Sequence, residues 1–297
     1  MTVLTVICLT YNHKDFILQA LESIKMQQTT FDFEVLIADD FSNDGSRELI
    51  INFVEKNKEK FFLIPSNENV GSSLNFIRAC RLVKSKYIAY LDGDDYWIDE
   101  FKLQKQYDIL ELDSSIACCY HDAILVNGSG DLVSNSYFKN KEKLTQSEIV
   151  PYGLLAHSGS VFFRSQSIEL IPKWFAKEVY DNGLHLLISE FGSFHFINEP
   201  LSAYRFHNGG TWSVLADNKK SLNLFLRLKT YYKSKSFKKY KKEFYTAMAS
   251  LSYKLISDKD FKMTWFLRCK LSFYHLYYSS PFSFKRFLWV ARIFFFK

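Results

Sequence analysis

Proline and glycine are scarce in this chain, at 5 and 11 among 297 residues. That scarcity excludes collagen-like and low-complexity classes, and 47% hydrophobic residues point to a globular protein with a sizeable core. The five cysteines (Cys8, Cys80, Cys118, Cys119, Cys269) are an odd number without metal-ligand spacing. Cys8, Cys118 and Cys119 lie in apolar runs, which reads as reduced core thiols in a cytosolic compartment. No run of 18 apolar residues occurs, so a spanning helix is not expected. Met1 to Leu9 lacks the charged start and cleavage site of a signal peptide and reads as a strand. The GxGxxG fingerprint and the GxxxxGKS/T loop are also missing, which disfavours a Rossmann dinucleotide site and a P-loop.

The net charge of +6 hides a division. Residues 217–297 carry 19 Lys and Arg against 4 Asp and Glu, a balance of +15 that leaves −9 on residues 1–216. A compositional boundary is therefore expected near residue 217.

Within the acidic part, strand and helix alternate. Leu4–Leu9, Phe33–Ala38, Phe61–Ile64 and Tyr87–Leu91 read as strands, with helical apolar spacing between them, as in Phe16, Ile17, Ala20, Leu21 and Ile24. This is the signature of βαβ units in a largely parallel sheet. Past residue 98 the pattern is mixed. Glu100–Leu112, Ser167–Phe175 and Gly183–Phe191 are predicted helices, Ile116–Tyr120, Ser160–Phe163 and Phe194–Ile197 strands, and 127–148 a long polar loop.

Three strand ends carry polar clusters: Thr10-Tyr11-Asn12, Asp39-Asp40 and Asp92-Gly93-Asp94-Asp95. Parallel strands deliver their ends to one sheet edge, where ligands of open α/β sheets bind. Three acids in four positions repel unless a cation joins them, and hard oxygen ligands suit Mg2+ or Mn2+ shared with substrate phosphates. The plainer reading is a turn, since Asp-Gly is itself a turn signal. Tyr11 is placed to stack on a ring, and one carboxylate of Asp39/Asp40 to accept an N–H from a base. Turn formation is the alternative for that pair.

Five segments in order resemble the inverting glycosyltransferases of family 2 with the GT-A fold, over roughly residues 3–212. They are Val6-Ile7-Cys8-Leu9-Thr10-Tyr11-Asn12, Leu36–Ser46, Asn69-Val70-Gly71 with Asn75, Tyr90–Trp97, and Glu199–His207. The resemblance implies a catalytic domain over 1–216, with a nucleotide-binding half to about residue 98 and an acceptor half after it. Thr10, Tyr11, Asn12, Asp39, Asp40, Asn69, Gly71 and Asn75 would then line the nucleotide site, and Asp92, Gly93 and Asp94 the DxD segment, with Asp94 the metal ligand of choice. His207 is a candidate for metal, phosphate or structural duty. The base of such enzymes is an acid just before a helix, here Asp181, although Asn182 stands where an aromatic is usual; Glu178 and Glu190 are the nearest competing acids. Asp181-Asn182-Gly183 also fits a plain turn or N-cap. Trp97 and Trp212 read equally as acceptor-loop residues or core.

The activity so implied moves a sugar from a nucleotide-diphosphate donor, UDP-linked by family analogy, to a glycan or lipid-linked hydroxyl, as in bacterial surface-polysaccharide synthesis. A nucleotidyltransferase on the same acids and a non-catalytic nucleotide-sugar-binding module are the alternatives. Residues 217–297 hold 22 aromatics among 81 positions and no proline before Pro281, which predicts long helices. Their basic, aromatic character fits either a helical subdomain or a peripheral contact with an anionic membrane at the inner face of the plasma membrane. The acidic catalytic body argues against nucleic acid as partner.

Overall fold

A computed structural model describes residues 2–137, 141–150, 156–169, 171–172, 174–175, 180–210, 215–233, 235–258, 261–262 and 264–278. Its internal contacts divide the chain into two units, Met1–Ile149 with Gly153–Asn208, and Val150–Tyr152 with Gly209–Lys297.

The first unit opens with β1 (Leu4–Thr10), α1 (Ile17–Lys25), β2 (Phe33–Asp39), α2 (Ser46–Lys56), β3 (Phe61–Ile64), α3 (Ser72–Cys80) and β4 (Tyr87–Asp92). All seven residues of β1 are buried, as expected of an apolar run covered on both faces. α1 buries Ile17, Ala20, Leu21 and Ile24 against Leu4, Val6 and Cys8 of β1 and Ala89 and Leu91 of β4 in one core cluster. Each Leu, Ile or Val among them contributes about 1.5–3 kcal/mol by leaving water. The chain continues through β5 (Tyr96–Trp97), α4 (Lys102–Leu112), β6 (Ile116–Asn127), β7 (Leu132–Ser134), β8 (Lys143–Leu144), α5 (Gln146–Ile149), β9 (Phe162–Arg164), α6 (Tyr180–Ser189) and β10 (Ser193–Phe206).

The strand order is β3-β2-β1-β4-β9-β6-β10-β5, with β7 paired to β6 and β8 to β10. Pairing is parallel from β3 to β4 and between β6 and β10, while β9 runs antiparallel to both β4 and β6. The expected α/β architecture is thus present. Two expectations in the second half are corrected. The polar stretch 127–148 contains β7 and β8, because pairing with β6 and β10 stabilises residues whose own apolar content is low, and α5 begins within it. The strand begun at Phe194 runs to Phe206, so most of the segment read as a site motif is strand, with register shifts around Pro200, a residue without an N–H to donate.

In the second unit, α7 (Asp217–Tyr231), α8 (Lys241–Ser257) and α9 (Trp265–Tyr278) pack with α8 against both others. Phe225, Leu228, Tyr231, Phe244, Ala247, Met248, Leu255 and Leu271 are buried. The terminal Phe282–Lys297 stretch lies outside the described residues.

Gly192 leads into β10, where an added Cβ would lie 2.3 Å from the Ser115 carbonyl oxygen and 3.0 Å from the Ala117 nitrogen. Gly192→Ala is expected to force β10 off β6 and lower stability by about 1–3 kcal/mol, read as a drop in thermal midpoint. An unchanged midpoint would mean that the two strands start loosely paired.

Candidate active site

Strand register decides where the polar clusters meet. Thr10 of β1 pairs with Asp39 of β2, and Leu9 pairs with Asp92 of β4, so all three clusters end at one sheet edge. The ladder runs one step further through Asp40 N–H to Thr10 O (3.0 Å) and Gly93 N–H to Leu9 O (2.7 Å). The chain then reverses through left-handed backbone at Asn12 (φ 56°) and Phe41 (φ 67°). Asn accepts that region readily; Phe does so at a cost that the surrounding contacts must cover. Those contacts zip the two loops together: Asn12 N–H to Ser42 Oγ (2.9 Å), Asn43 N–H to Asn12 Oδ1 (3.0 Å) and Lys14 N–H to Asp44 Oδ2 (3.0 Å). Tyr11 and Phe41 remain exposed on them, at 42% and 44%.

Asp39 and Asp40 do not face open space. Arg47 grips Asp39 Oδ2 from Nε and Nη2, each at 2.7 Å. Asp40 accepts Val70 N–H (2.9 Å) on one oxygen and Gly71 N–H (2.8 Å) on the other. Asn75 is also corrected. It is 1% exposed, donates Nδ2–H to Ala38 O (2.7 Å) and accepts from Arg78 Nη1 (2.8 Å), which consumes both ends of the amide. Asp40 thereby holds the loop 69–71 to the end of β2, and Asn75 ties the start of α3 to the same strand. Gly71, at φ 82°, needs its missing Cβ there, and Asn69 is exposed beside it. Thr10 is buried, its hydroxyl without a partner among the described residues.

The three acids of the β4 end are treated differently. Asp92 accepts the Tyr90 hydroxyl on Oδ1 and the Ser158 hydroxyl on Oδ2. Asp94 Oδ2 stands 3.0 Å from His207 Nε2 and 3.7 Å from His13 Nε2. Burial alone would raise the Asp94 pKa, but His13 and His207 outweigh it and hold the carboxyl below its ordinary value. Asp95 is 3% exposed and takes Arg205 N–H (2.7 Å). Burial first, then the charges of Asp94 and Asp92, push its pKa well up, which fits a structural acceptor rather than a ligand. Gly93 is required by contact, since a Cβ would meet His13 Nδ1, Ile17 Cδ1 and Thr10 Cβ, all at 3.0 Å.

Arg205 binds this loop to its surroundings. It donates from Nε to Asp94 O (2.9 Å), from Nη1 to Asn127 O (3.4 Å) and from Nη2 to Gln19 Oε1 (2.6 Å). Its guanidinium lies 4.8 Å from the Phe16 ring centre, and Phe16 stands 4.8 Å from His207. The structure thus brings His207 to Asp94. His13 and Arg205 join the site without having been assigned a role from sequence. The available signal was their position, His13 one residue past Asn12 and Arg205 two before His207. Trp97 is corrected as an acceptor-facing residue: it is 1% exposed, with Nε1–H donated to Gly159 O (2.9 Å). Asp181 falls in the first turn of α6, Glu190 is exposed just past its end, and Glu178 and Trp212 lie outside the described residues.

Acids and an imidazole thus gather at the edge of the parallel strands of a GT-A arrangement. The family described as glycosyl transferase family 2 matches residues 5–169, and the chain belongs to it. An uncharacterised Mycobacterium tuberculosis protein is 26% identical over 227 residues, 73% of this chain, and the chain spans 63% of that relative's length. A Bacillus subtilis protein assigned to teichuronic acid biosynthesis, TuaG, is 26% identical over 69% of this chain and 79% of its own. Among solved structures, Staphylococcus aureus TarS (residues 1–349, with UDP-GlcNAc) superposes with TM-score 0.57 at 15% identity, over 93% of this chain and 71% of that one. The mannosyltransferase PcManGT from Pyrobaculum calidifontis, with GDP-Man and Mn2+, gives 0.60 at 15%, over 97% and 78%. These two likenesses show the fold.

Beneath the acids, His157 is pushed down to about 3, by burial first and then by the Lys102 charge, and burial also takes His121 well below the ordinary histidine value. Both imidazoles are neutral in the fold, whereas in the unfolded chain they take protons below pH of about 6.5. The unfolded state then binds the extra protons, so stability falls as pH drops from 6.5 toward 3, by up to about 1.4 kcal/mol per pH unit for each group. Urea denaturation from pH 7 to 4 should show this slope, and His157→Gln should flatten it. An equal slope in that variant would rule His157 out as a source.

Proposed function

We propose that this chain is an inverting glycosyltransferase that moves a sugar from a nucleoside-diphosphate donor, with UDP-sugars the leading class. The acceptor is a hydroxyl of a glycan or lipid-linked glycan in surface-polysaccharide synthesis. The observation that carries the reading is the Asp94–His207 pair, set at the sheet edge that also bears the exposed Tyr11. The named relative in teichuronic acid biosynthesis and the nucleotide sugars held by the two structural neighbours support it.

A divalent ion fits the residues present. Among the described residues no group of three or more His, Cys, Asp and Glu forms a ready-made cage. Mg2+ and Mn2+ need none, because they bind through one or two protein groups and share their shell with phosphates. A carboxylate oxygen and an imidazole nitrogen 3.0 Å apart match two adjacent ligands of an octahedral ion with bonds of roughly 2.1 Å. Asp94 and His207 would hold it, the carboxylate being the ligand type that suits Mg2+ or Mn2+. When bound, such an ion neutralises the charge that gathers on the departing diphosphate.

The chain's own residues do the rest. Tyr11 stacks on the base beside the loop 69–71, which Asp40 fixes. The Tyr90 and Ser158 hydroxyls orient Asp92, while Arg205 locks the backbone of Asp94. Asp181 takes the proton of the acceptor hydroxyl as it attacks the sugar face opposite the leaving group, and one displacement inverts the anomeric centre.

Hydrolysis of UDP-GlcNAc by the purified protein is expected to require Mn2+ and to fall roughly 100-fold or more in Asp94→Asn. Asp181→Asn should lose about 10²–10⁴-fold. Turnover indifferent to Mn2+ and to Asp94→Asn would sink the site, and a product carrying NMP in place of sugar would identify a nucleotidyltransferase. Full activity in Asp181→Asn would remove that residue as base.

Residues 217–297 supply the membrane contact in this reading. On α9, Phe266, Lys270, Phe273 and Tyr277 recur on one helical face and are exposed, Phe266 at 70% and Phe273 at 62%. Aromatic side chains among lysines suit the headgroup boundary of an anionic bilayer. No described helix is long and apolar enough to cross a membrane. The protein should sediment with vesicles containing phosphatidylglycerol and not with phosphatidylcholine alone, and Phe266→Ser with Phe273→Ser should release it. Equal recovery on both lipids would exclude an electrostatic contact.

A further inference from the structure

α4 turns two polar side chains into the protein beneath the acidic loop. Lys102 and Gln106, one helical turn apart, are both fully buried. Lys102 Nζ lies 4.0 Å from the Trp97 ring centre and has no hydrogen-bond partner among the described residues. Gln106 Nε2 donates to Cys119 O (2.9 Å) and Ser160 O (2.8 Å), which leaves its Oε1 without a partner.

Two histidines complete the cluster. His121 lies two residues beyond Cys119 along β6, on the same face, and its Nδ1 is 2.7 Å from Asp122 O. A carbonyl only accepts, so Nδ1 carries the proton and Nε2 of the neutral ring is an acceptor, again without a partner. His157 Nε2 is 2.6 Å from Ser202 Oγ, while its Nδ1, 3.6 Å from Asp95 Oδ2, makes no hydrogen bond. The centres of the two imidazole rings are 6.3 Å apart.

A buried amine, its pKa pushed well down by burial, thus shares this region with acceptors it does not hydrogen-bond. A buried polar atom left unpaired forfeits its hydration with no return, and four in one region are too many to leave so. An anion is a poor match, because Gln106 Oε1 and His121 Nε2 are themselves acceptors and Asp95 lies against His157. Water both donates and accepts, and buried water makes about three bonds to such groups.

We infer that ordered water fills the space between Lys102, Gln106, His121 and His157, with Lys102 as its principal donor, and that this hydrated core supports residues 157–160. That segment is where the consequence lies: His157 stands against Asp95, Ser158 binds Asp92, Gly159 O receives the Trp97 indole N–H, and Ser160 O receives Gln106. The inference goes beyond the proposed transfer reaction and does not depend on the identity of its donor.

A crystal structure of the full chain at high resolution should show water within hydrogen-bond distance of both Lys102 Nζ and His121 Nε2. Density showing Lys102 in dry contact with its neighbours would overturn the inference, as would an anomalous signal from an ion there. Thermal melts give an independent sign. If water links the groups, Lys102→Met strands the remaining partners and lowers the midpoint by several degrees; if the lysine is a lone misfit, the apolar isostere raises it. Lys102→Met and His121→Phe should also be non-additive, the double variant losing clearly less than the two single losses together. Strict additivity counts against a shared network. Should Lys102→Met fail to fold, the crystal structure of the unaltered chain decides.

Discussion

Three carboxylates within four positions of one strand end cannot be buried together unless each is given a different partner. Much of the first unit is arranged to meet that constraint. Asp92 is matched by hydroxyls, Asp94 by two imidazoles, and Asp95 by a backbone N–H and burial that favours its protonated form. The two imidazoles favour the charged form of Asp94, whereas burial and the neighbouring acids favour the protonated form of Asp95. Arg205 makes the division durable, since a single guanidinium spans the acidic loop, α1 and the end of β6.

The β2 end of this edge is governed by backbone capture. Asp39 and Asp40 sit at a strand end and would seem free to meet a ligand, yet Arg47 and two amides of the 69–71 loop claim their oxygens. Carboxylates hydrogen-bonded in this way organise loops with more precision than solvated ones, because each bond lost would leave a buried charge unpaired. Tyr11 and Phe41 stay exposed at this edge, as does Asn69 in the loop that Asp40 holds. The reversed backbone at Phe41 is maintained by these same contacts.

Family membership and site geometry bear on different questions. Membership rests on residues 5–169. The partner that distinguishes Asp94 from its neighbours, His207, lies beyond that span, at the end of the longest strand of the sheet. A parallel β6–β10 pair with a register shift at Pro200 sets where that strand ends, and so where His207 stands.

The alternation of strand and helix through residue 92, and the convergence of three polar strand ends, were legible in the sequence by themselves. Both follow from local rules: apolar period, short parallel strands, and the common edge to which such strands point. The segment 127–148 was not legible, because its strands exist only through pairing with β6 and β10. The family resemblance likewise named Asn75 and Trp97 as site candidates, but burial and hydrogen bonding turned both inward. The sequence determined that acids, amides and aromatics would meet at one sheet edge. Only tertiary structure decided that His13 and His207 select Asp94 and that Lys102 lies beneath the loop. Those choices depend on contacts between residues 81 and 113 positions apart, about which local pattern says nothing.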